Sequence, residues 1–238
     1  LKILFFFEKG ESCRWLGHLD ILRTFERAVR RAQLPIAFSA GFNPHEKLSF
    51  GSALPVGVTG EREPGVLELT EAIAPETLIE RLNSRLPQGI QLRHAVQIAD
   101  EGSKDVLNGY NHAVFLLEAS AENLTEDDCI RAAERVNNSE TLEIARTRDG
   151  RVRTLNLRPS IVHIRWLGIR NNRYHFAAVL YVSNEGGART GEVAELLAVH
   201  APTLVLKKAH RLALVPKDSW PEIMEAAAKT ASPPAAGG

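Results

Sequence analysis

Two short stretches concentrate residue types that do chemistry. Residues 14–20 read Arg-Trp-Leu-Gly-His-Leu-Asp, and residues 38–50 read Phe-Ser-Ala-Gly-Phe-Asn-Pro-His-Glu-Lys-Leu-Ser-Phe. His18 and His45 carry the one side chain whose unperturbed titration falls near neutral pH, so together they could act as an acid–base pair on RNA. The plainer alternative is that each imidazole holds a tight turn through a hydrogen bond. His18, Asp20 and His45 could also ligate a metal, but their spacing matches no metal motif, and none is expected. Arg23, Arg27 and Arg30 follow at i, i+4 and i+7. On a helix that spacing makes a stripe able to meet successive phosphates. Its alternative is a solvated face paired with Asp20 and Glu26.

A second basic block holds Arg146, Arg148, Arg151, Arg153, Arg158, Arg165, Arg170 and Arg173 against two acids over residues 141–180. If these residues are on strands, 146 and 148 share a face, as do 151 and 153. Such arginines suit an RNA backbone and can stack on bases. Residues 101–140 run the other way, with nine acids against three bases. Pairing between the two blocks is therefore the competing expectation, and an acidic surface that docks a basic protein is a third. The net charge of zero excludes a uniformly basic nucleic-acid binder but not a locally basic one.

Cys13 and Cys129 are the only cysteines. They are too few for a disulfide framework or for the three or four thiolates an iron–sulfur cluster takes. The sequence holds no phosphate-binding P-loop, no dinucleotide fingerprint and no nucleophile elbow. The longest apolar run, near residues 3–7, is far short of a membrane span. The expectation is a cytoplasmic protein with no membrane contact.

The elements that must position these residues follow from periodicity. Residues 2–9 read as a strand, and 19–33 as a helix with Leu22, Phe25, Val29 and Ala32 on one stripe. Residues 36–39, 47–50 and 66–70 read as extended, with a long loop rich in Gly and Pro over 51–65. A helix over 75–86 and a strand over 90–98 complete a β-α-β-β-α-β order. Polar residues 101–111 read as a linker. The order then recurs: strand 113–118, helix 125–136 with Thr125 as N-cap, hairpins over 141–157 and 161–182, helix 191–199 and strand 204–214. The predicted fold is α+β, two tandem ferredoxin-like (βαββαβ) units with antiparallel sheets. The units span 1–100 and 112–216, and 217–238 is expected to be a C-terminal helix and flexible tail. A single domain with one continuous antiparallel sheet is the alternative.

The two stretches, with Leu54-Pro55-Val56-Gly57-Val58 after them, resemble the radical SAM-linked bacterial family of unknown function. The resemblance covers about the first hundred residues. It continues through Asn156-Leu157-Arg158-Pro159 and Gly186-Gly187-Ala188-Arg189. Glu46 stands where members commonly have Pro. The resemblance implies an association with a radical SAM protein, either as a fused C-terminal domain or as a separate neighbour. S-adenosylmethionine and an iron–sulfur cluster would then belong to that partner, with no cofactor in this chain. The missing initial Met fits a fused domain.

The functional expectation is an accessory domain, non-catalytic on its own, that binds tRNA or rRNA and presents it to a modification enzyme; no DNA is expected. Arg14, His18, Arg23, Arg27, Arg30, Arg31, Asn43, His45 and Lys47 would line its main site. Arg146, Arg148, Arg151 and Arg153 would extend it. The alternatives are a metal-independent RNA endonuclease or modifier using His18 and His45, and a protein-interaction module.

Overall fold

The computed structural model describes residues 1–99, 102–148, 150–183 and 187–231. The protein is α+β, with six α-helices and mainly antiparallel strands among the described residues. It divides into two compact units, Leu1–Asn111 and His112–Gly238.

In the first unit, β1 (Lys2–Lys9) runs antiparallel to both β3 (Thr59–Glu68) and β4 (Ile90–Ile98), and β2 (Leu48–Phe50) adds to β3. The order across the sheet is β4-β1-β3-β2. Helices α1 (His18–Arg31) and α2 (Pro75–Asn83) make the crossovers. Alternation along β1 sends Ile3, Phe5 and Phe7 into a core with Phe25 and Val29 of α1 and Leu78 and Leu82 of α2. Leu4 and Phe6 point the other way, where Leu107, Val106 and Tyr110 meet them. Both faces of β1 are thus buried, which is why it reads as one unbroken apolar run.

That second contact corrects the linker expectation. Residues 103–108 form α3 (Ser103–Asn108), and Leu107 is buried. Six residues are too short for a helical period to stand out in sequence; the exposed apolar sheet face selects the helix. Two extended segments also differ. Residues 36–39 make only isolated bridges, Ile36 to Leu69 and Phe38 to Glu46. β3 begins at Thr59, inside the expected loop. Gly60, Pro64 and Gly65 read as turn residues, yet Gly65 lies opposite Phe5 because only a bare Cα fits there. A Cβ on Gly65 would sit 2.3 Å from Phe5 Cζ.

In the second unit, β5 (His112–Ser120) lies between β9 (Arg173–Tyr181) and β10 (Val205–Val215), and β8 (Ile161–Arg170) pairs with β9. The order is β10-β5-β9-β8. Counted along each unit, this is the same fourth-first-third-second arrangement. Helices α4 (Glu126–Asn138) and α5 (Thr190–Ala198) cross over. Thr125 caps α4 as expected, its hydroxyl accepting from the Asp128 amide at 3.2 Å. The β8–β9 turn is the expected Asn171-Asn172, both at positive φ (48° and 57°), as a tight primed turn needs.

The other hairpin, β6 (Glu143–Arg148) and β7 (Arg151–Asn156), pairs only with itself and forms its own two-stranded sheet. Helix α6 (Trp220–Ala231) lays Met224 against Val114, Ala177, Val179 and Ala213. Each unit therefore carries, after its fourth strand, a helix on the sheet face away from its crossovers. Asp149, Gly186 and the tail over 232–238, each part of an expectation above, lie outside the described residues.

Gly65→Ala is expected to destabilise the chain by about 1–3 kcal/mol, because Phe5 is fully buried and cannot swing clear. Gly191→Ala in α5, where a Cβ meets nothing within 4 Å, is expected to raise stability by up to about 1 kcal/mol. Urea unfolding followed by circular dichroism checks both.

Candidate functional site

Both chemistry-bearing stretches lie in the first unit and are held by the same aromatic cluster. Phe25 of α1 stacks on Phe5 at 5.6 Å and meets Phe7 edge-on at 5.0 Å. Phe50 of β2 packs edge-on to Phe5, Phe7 and Phe25. Phe50 then reaches His18, whose ring lies edge-on at 6.3 Å.

The first stretch is a helix entry. Gly17 is the extended N-cap of α1, and its amide donates to Asp20 Oδ2 at 3.0 Å. Asp20 is thus committed to the helix N-terminus, where a carboxylate is favoured, and not to an arginine of the stripe. Beneath the entry, the buried Lys9 donates from Nζ to the Leu16 carbonyl at 2.9 Å. Trp15 is exposed, with the Arg14 guanidinium 4.6 Å above its ring. A small cleft of about 20 Å3, room for one water, opens among Phe7, Lys9, His18, Phe50, Leu54 and Glu63. Sequence reasoning did not single out Lys9 or Glu63. A lysine inside an apolar strand run and a glutamate before a proline were the available signals.

The second stretch is a loop pinned at its end. The Glu46 carboxylate is buried and takes the Arg30 guanidinium in a short ion pair. That bond holds the carboxyl below its ordinary range, against burial, which acts to raise it. Lys47 Nζ donates to Glu68 at 2.9 Å. The Ser39 hydroxyl accepts the His45 amide at 3.1 Å and lies 2.9 Å from His45 Nδ1. Between these ties, Gly41 at φ +121° turns the chain and leaves Phe42 fully in solvent and Asn43 exposed.

The expected site residues therefore fall into two groups. Arg14, Arg30 and Lys47 are paired with Glu11, Glu46 and Glu68. Arg23, Arg27 and Arg31 are exposed, without an ion pair among the described residues, and share an i, i+4, i+8 line. Each step along that line advances about 6 Å. His18 and His45 are not brought together. Five residue steps of largely extended chain, about 16 Å, separate His45 from the Phe50 that His18 touches, and His45 does not line the His18 cleft. Among the described residues, no three His, Cys, Asp or Glu side chains group closely enough to hold a metal.

In the second unit, register places Arg153 opposite Arg146 and Arg151 opposite Arg148. Arg146 forms a forked pair with Glu192, 2.7 Å to each oxygen, and reaches the Gly187 carbonyl at 3.1 Å. Arg151 and Arg153 are exposed and unpaired among the described residues. Arg158 is structural, donating to the Val136 and Asn137 carbonyls that end α4. Asn156 supports it, its side-chain oxygen accepting the amides of Leu142 and Arg158. The Asn-Leu-Arg-Pro run thus closes a helix.

A family profile described as "Uncharacterized protein conserved in bacteria (DUF2344)" matches residues 2–190. That description names no radical SAM enzyme. No curated protein matches. Among solved structures, a chain of the "Crystal Structure of a Cbf5-Nop10-Gar1 Complex" is similar with a TM-score of 0.50 at 12% identity, covering 88% of this chain and 47% of that one. A chain of the "Structure of H/ACA RNP bound to a substrate RNA containing 2'-deoxyuridine" is similar with a TM-score of 0.49 at 12% identity, covering 88% and 46%. This chain spans about half the length of each. The first likeness is one of fold.

The Glu46 bond has a pH signature. A carboxyl lowered in the folded state stabilises above its unfolded titration range, and that contribution is lost as pH falls through the folded value. Between about pH 4.5 and the onset of acid unfolding, the natural chain is expected to lose stability more steeply than Glu46→Gln. Thermal melts across that range measure the difference in slope.

Proposed function

The chain belongs to the bacterial DUF2344 family, and we propose that it is an RNA-binding accessory protein that holds a tRNA or rRNA segment for a modification enzyme. The observation that carries this reading is Phe42. A phenylalanine fully in solvent, on a loop fixed at its base, keeps apolar surface in water in the free protein, which is unfavourable. That cost is removed when a partner covers the ring. An unpaired base does so by stacking, as in single-strand recognition. Glu46 fastens the loop to Arg30 of α1, the helix that carries the unpaired Arg23, Arg27 and Arg31. Stacking on Phe42 and phosphate contact along α1 then describe one short single-stranded segment. Asn43 and His45 offer polar contacts to the stacked base. Arg151 and Arg153 add a second cationic contact from their hairpin.

On this reading both units are ferredoxin-like, a view supported by their shared strand order. The covered second faces of the two sheets leave loops and a helix rim for RNA. The enzyme served would be a radical SAM protein, fused or separate, as the resemblance of the two stretches implies. It would bring S-adenosylmethionine and the iron–sulfur cluster in the cytoplasm.

The test is recovery of crosslinked cellular RNA, then a salt titration on the recovered species. Phe42→Ala is expected to weaken binding by about 1–3 kcal/mol with little change in salt dependence. Arg23→Glu/Arg27→Glu is expected to flatten the slope of log affinity against log salt by about 0.7 for each phosphate no longer neutralised. Absence of an enriched RNA, or binding indifferent to all three positions, would sink the reading in favour of a protein partner.

A further inference from the structure

The exposed face of α4 carries a cavity that the reading above does not use. Arg131, Glu134, Arg135 and Asn138 stand at i, i+3, i+4 and i+7 on that face. With Ser139 and His200 they line a wide-mouthed surface pocket of about 390 Å3. That is within the size range of small-ligand sites, and the lining is polar where such sites are usually apolar. Four of its side chains, Glu134, Arg135, Asn138 and His200, have no hydrogen-bond or ion-pair partner among the described residues. Arg131 gives one guanidinium nitrogen to Asp128 at 2.7 Å and keeps other donors. The Ser139 hydroxyl donates to the Arg135 carbonyl and can still accept.

The geometry points to a binding site for one nucleotide, its phosphate on the forked donors of Arg131 and Arg135 and its base edge on Asn138 and Glu134. The donor inventory supports that division. Two guanidiniums one helical turn apart match a phosphate group. The Asn138 amide offers both a donor and an acceptor, and the Glu134 carboxylate accepts only, so together they read a base edge that presents N–H groups. His200, half-buried at the wall, supplies an aromatic face. A bare phosphate site would not need Glu134, whose charge opposes an anion. A base that donates hydrogen bonds accounts for it. The inference rests on the RNA reading only for the polymer. The nucleotide site stands on the second unit alone.

The experiment uses the full chain, with 5′-AMP, 5′-GMP, 5′-CMP and 5′-UMP titrated by calorimetry and a mixed-sequence single-stranded RNA followed by fluorescence anisotropy. Arg131→Gln/Arg135→Gln is expected to weaken nucleotide binding at least tenfold and RNA binding several-fold. Glutamine leaves no added carboxylate at the helix C-terminus, so the fold is retained, as circular dichroism will show. Asn138→Ala is expected to narrow the preference among the four nucleotides. Inorganic phosphate is expected to compete poorly; equal competition would reduce the pocket to an anion site and overturn the nucleotide assignment. Nucleotide binding indifferent to the Arg131/Arg135 pair, with RNA binding still lost in Arg23→Glu/Arg27→Glu, would end this inference and leave the RNA reading intact. Nucleotide binding without any RNA binding would uphold the site for a free nucleotide and end the RNA reading.

Discussion

The first unit depends on the close approach of Phe5 to the bare backbone of Gly65. With no side chain at 65, the Phe5 ring settles over β3 and offers its flanks to Phe7, Phe25 and Phe50. Those four rings join β1, α1 and β2 in one contact set, worth something like 0.5–1.5 kcal/mol per aromatic pair beyond burial. Because Phe25 belongs to the helix bearing Arg23 and Arg27, and Phe50 to the strand that follows His45 and Lys47, the core aligns the two stretches without itself touching solvent chemistry. His18 stands at the border, its ring against Phe50.

Electrostatics sorts the arginines into structural and available groups by burial of the acid, not of the arginine. Glu46 and Glu192 are both buried, and each commits one arginine, Arg30 and Arg146. A buried carboxylate without its partner would carry its desolvation cost alone, so these arginines are fixed. Arg158 is fixed differently, by the carbonyls that end α4, whereas arginines that meet only exposed acids, or no protein acceptor among the described residues, remain able to trade water for a phosphate. Glu46 in place of the Pro common in the resembling family is therefore a structural anchor. It shortens the expected Arg23, Arg27 and Arg30 stripe by one member, and Arg31 restores its length.

Legibility followed period and chemistry. α1, α2 and α4 were readable because their buried residues recur at steps of three and four, and the Thr125 cap because it is local. β3 was misread because Gly60, Pro64 and Gly65 signal turns, and the reason for a glycine at 65 is the ring of Phe5, far back in the sequence. α3 escaped because one turn and a half of helix has no period to detect. At the site, residue types were legible and partners were not. Nothing local tells that Arg30 is held and Arg27 free, since the deciding acid lies sixteen residues on. Phe42 was visible as an aromatic, but its exposure depends on where the loop is pinned.

Two asparagines have a consequence for the life of the protein in a crowded solution. Asn83, ending α2, donates to the Leu92 carbonyl and accepts the Leu92 amide at 3.0 and 2.8 Å, and Asn137 in α4 does the same to Ile164 at 2.7 and 2.8 Å. Leu92 lies on β4 and Ile164 on β8, each an end strand in the pairing orders given above. A carboxamide has the same donor–acceptor spacing as a peptide group. Each asparagine therefore occupies the outward-facing bonds that another chain's strand would otherwise take. Each amide thus stands in for one residue of a further strand, a local obstacle to edge-to-edge pairing at Leu92 and at Ile164.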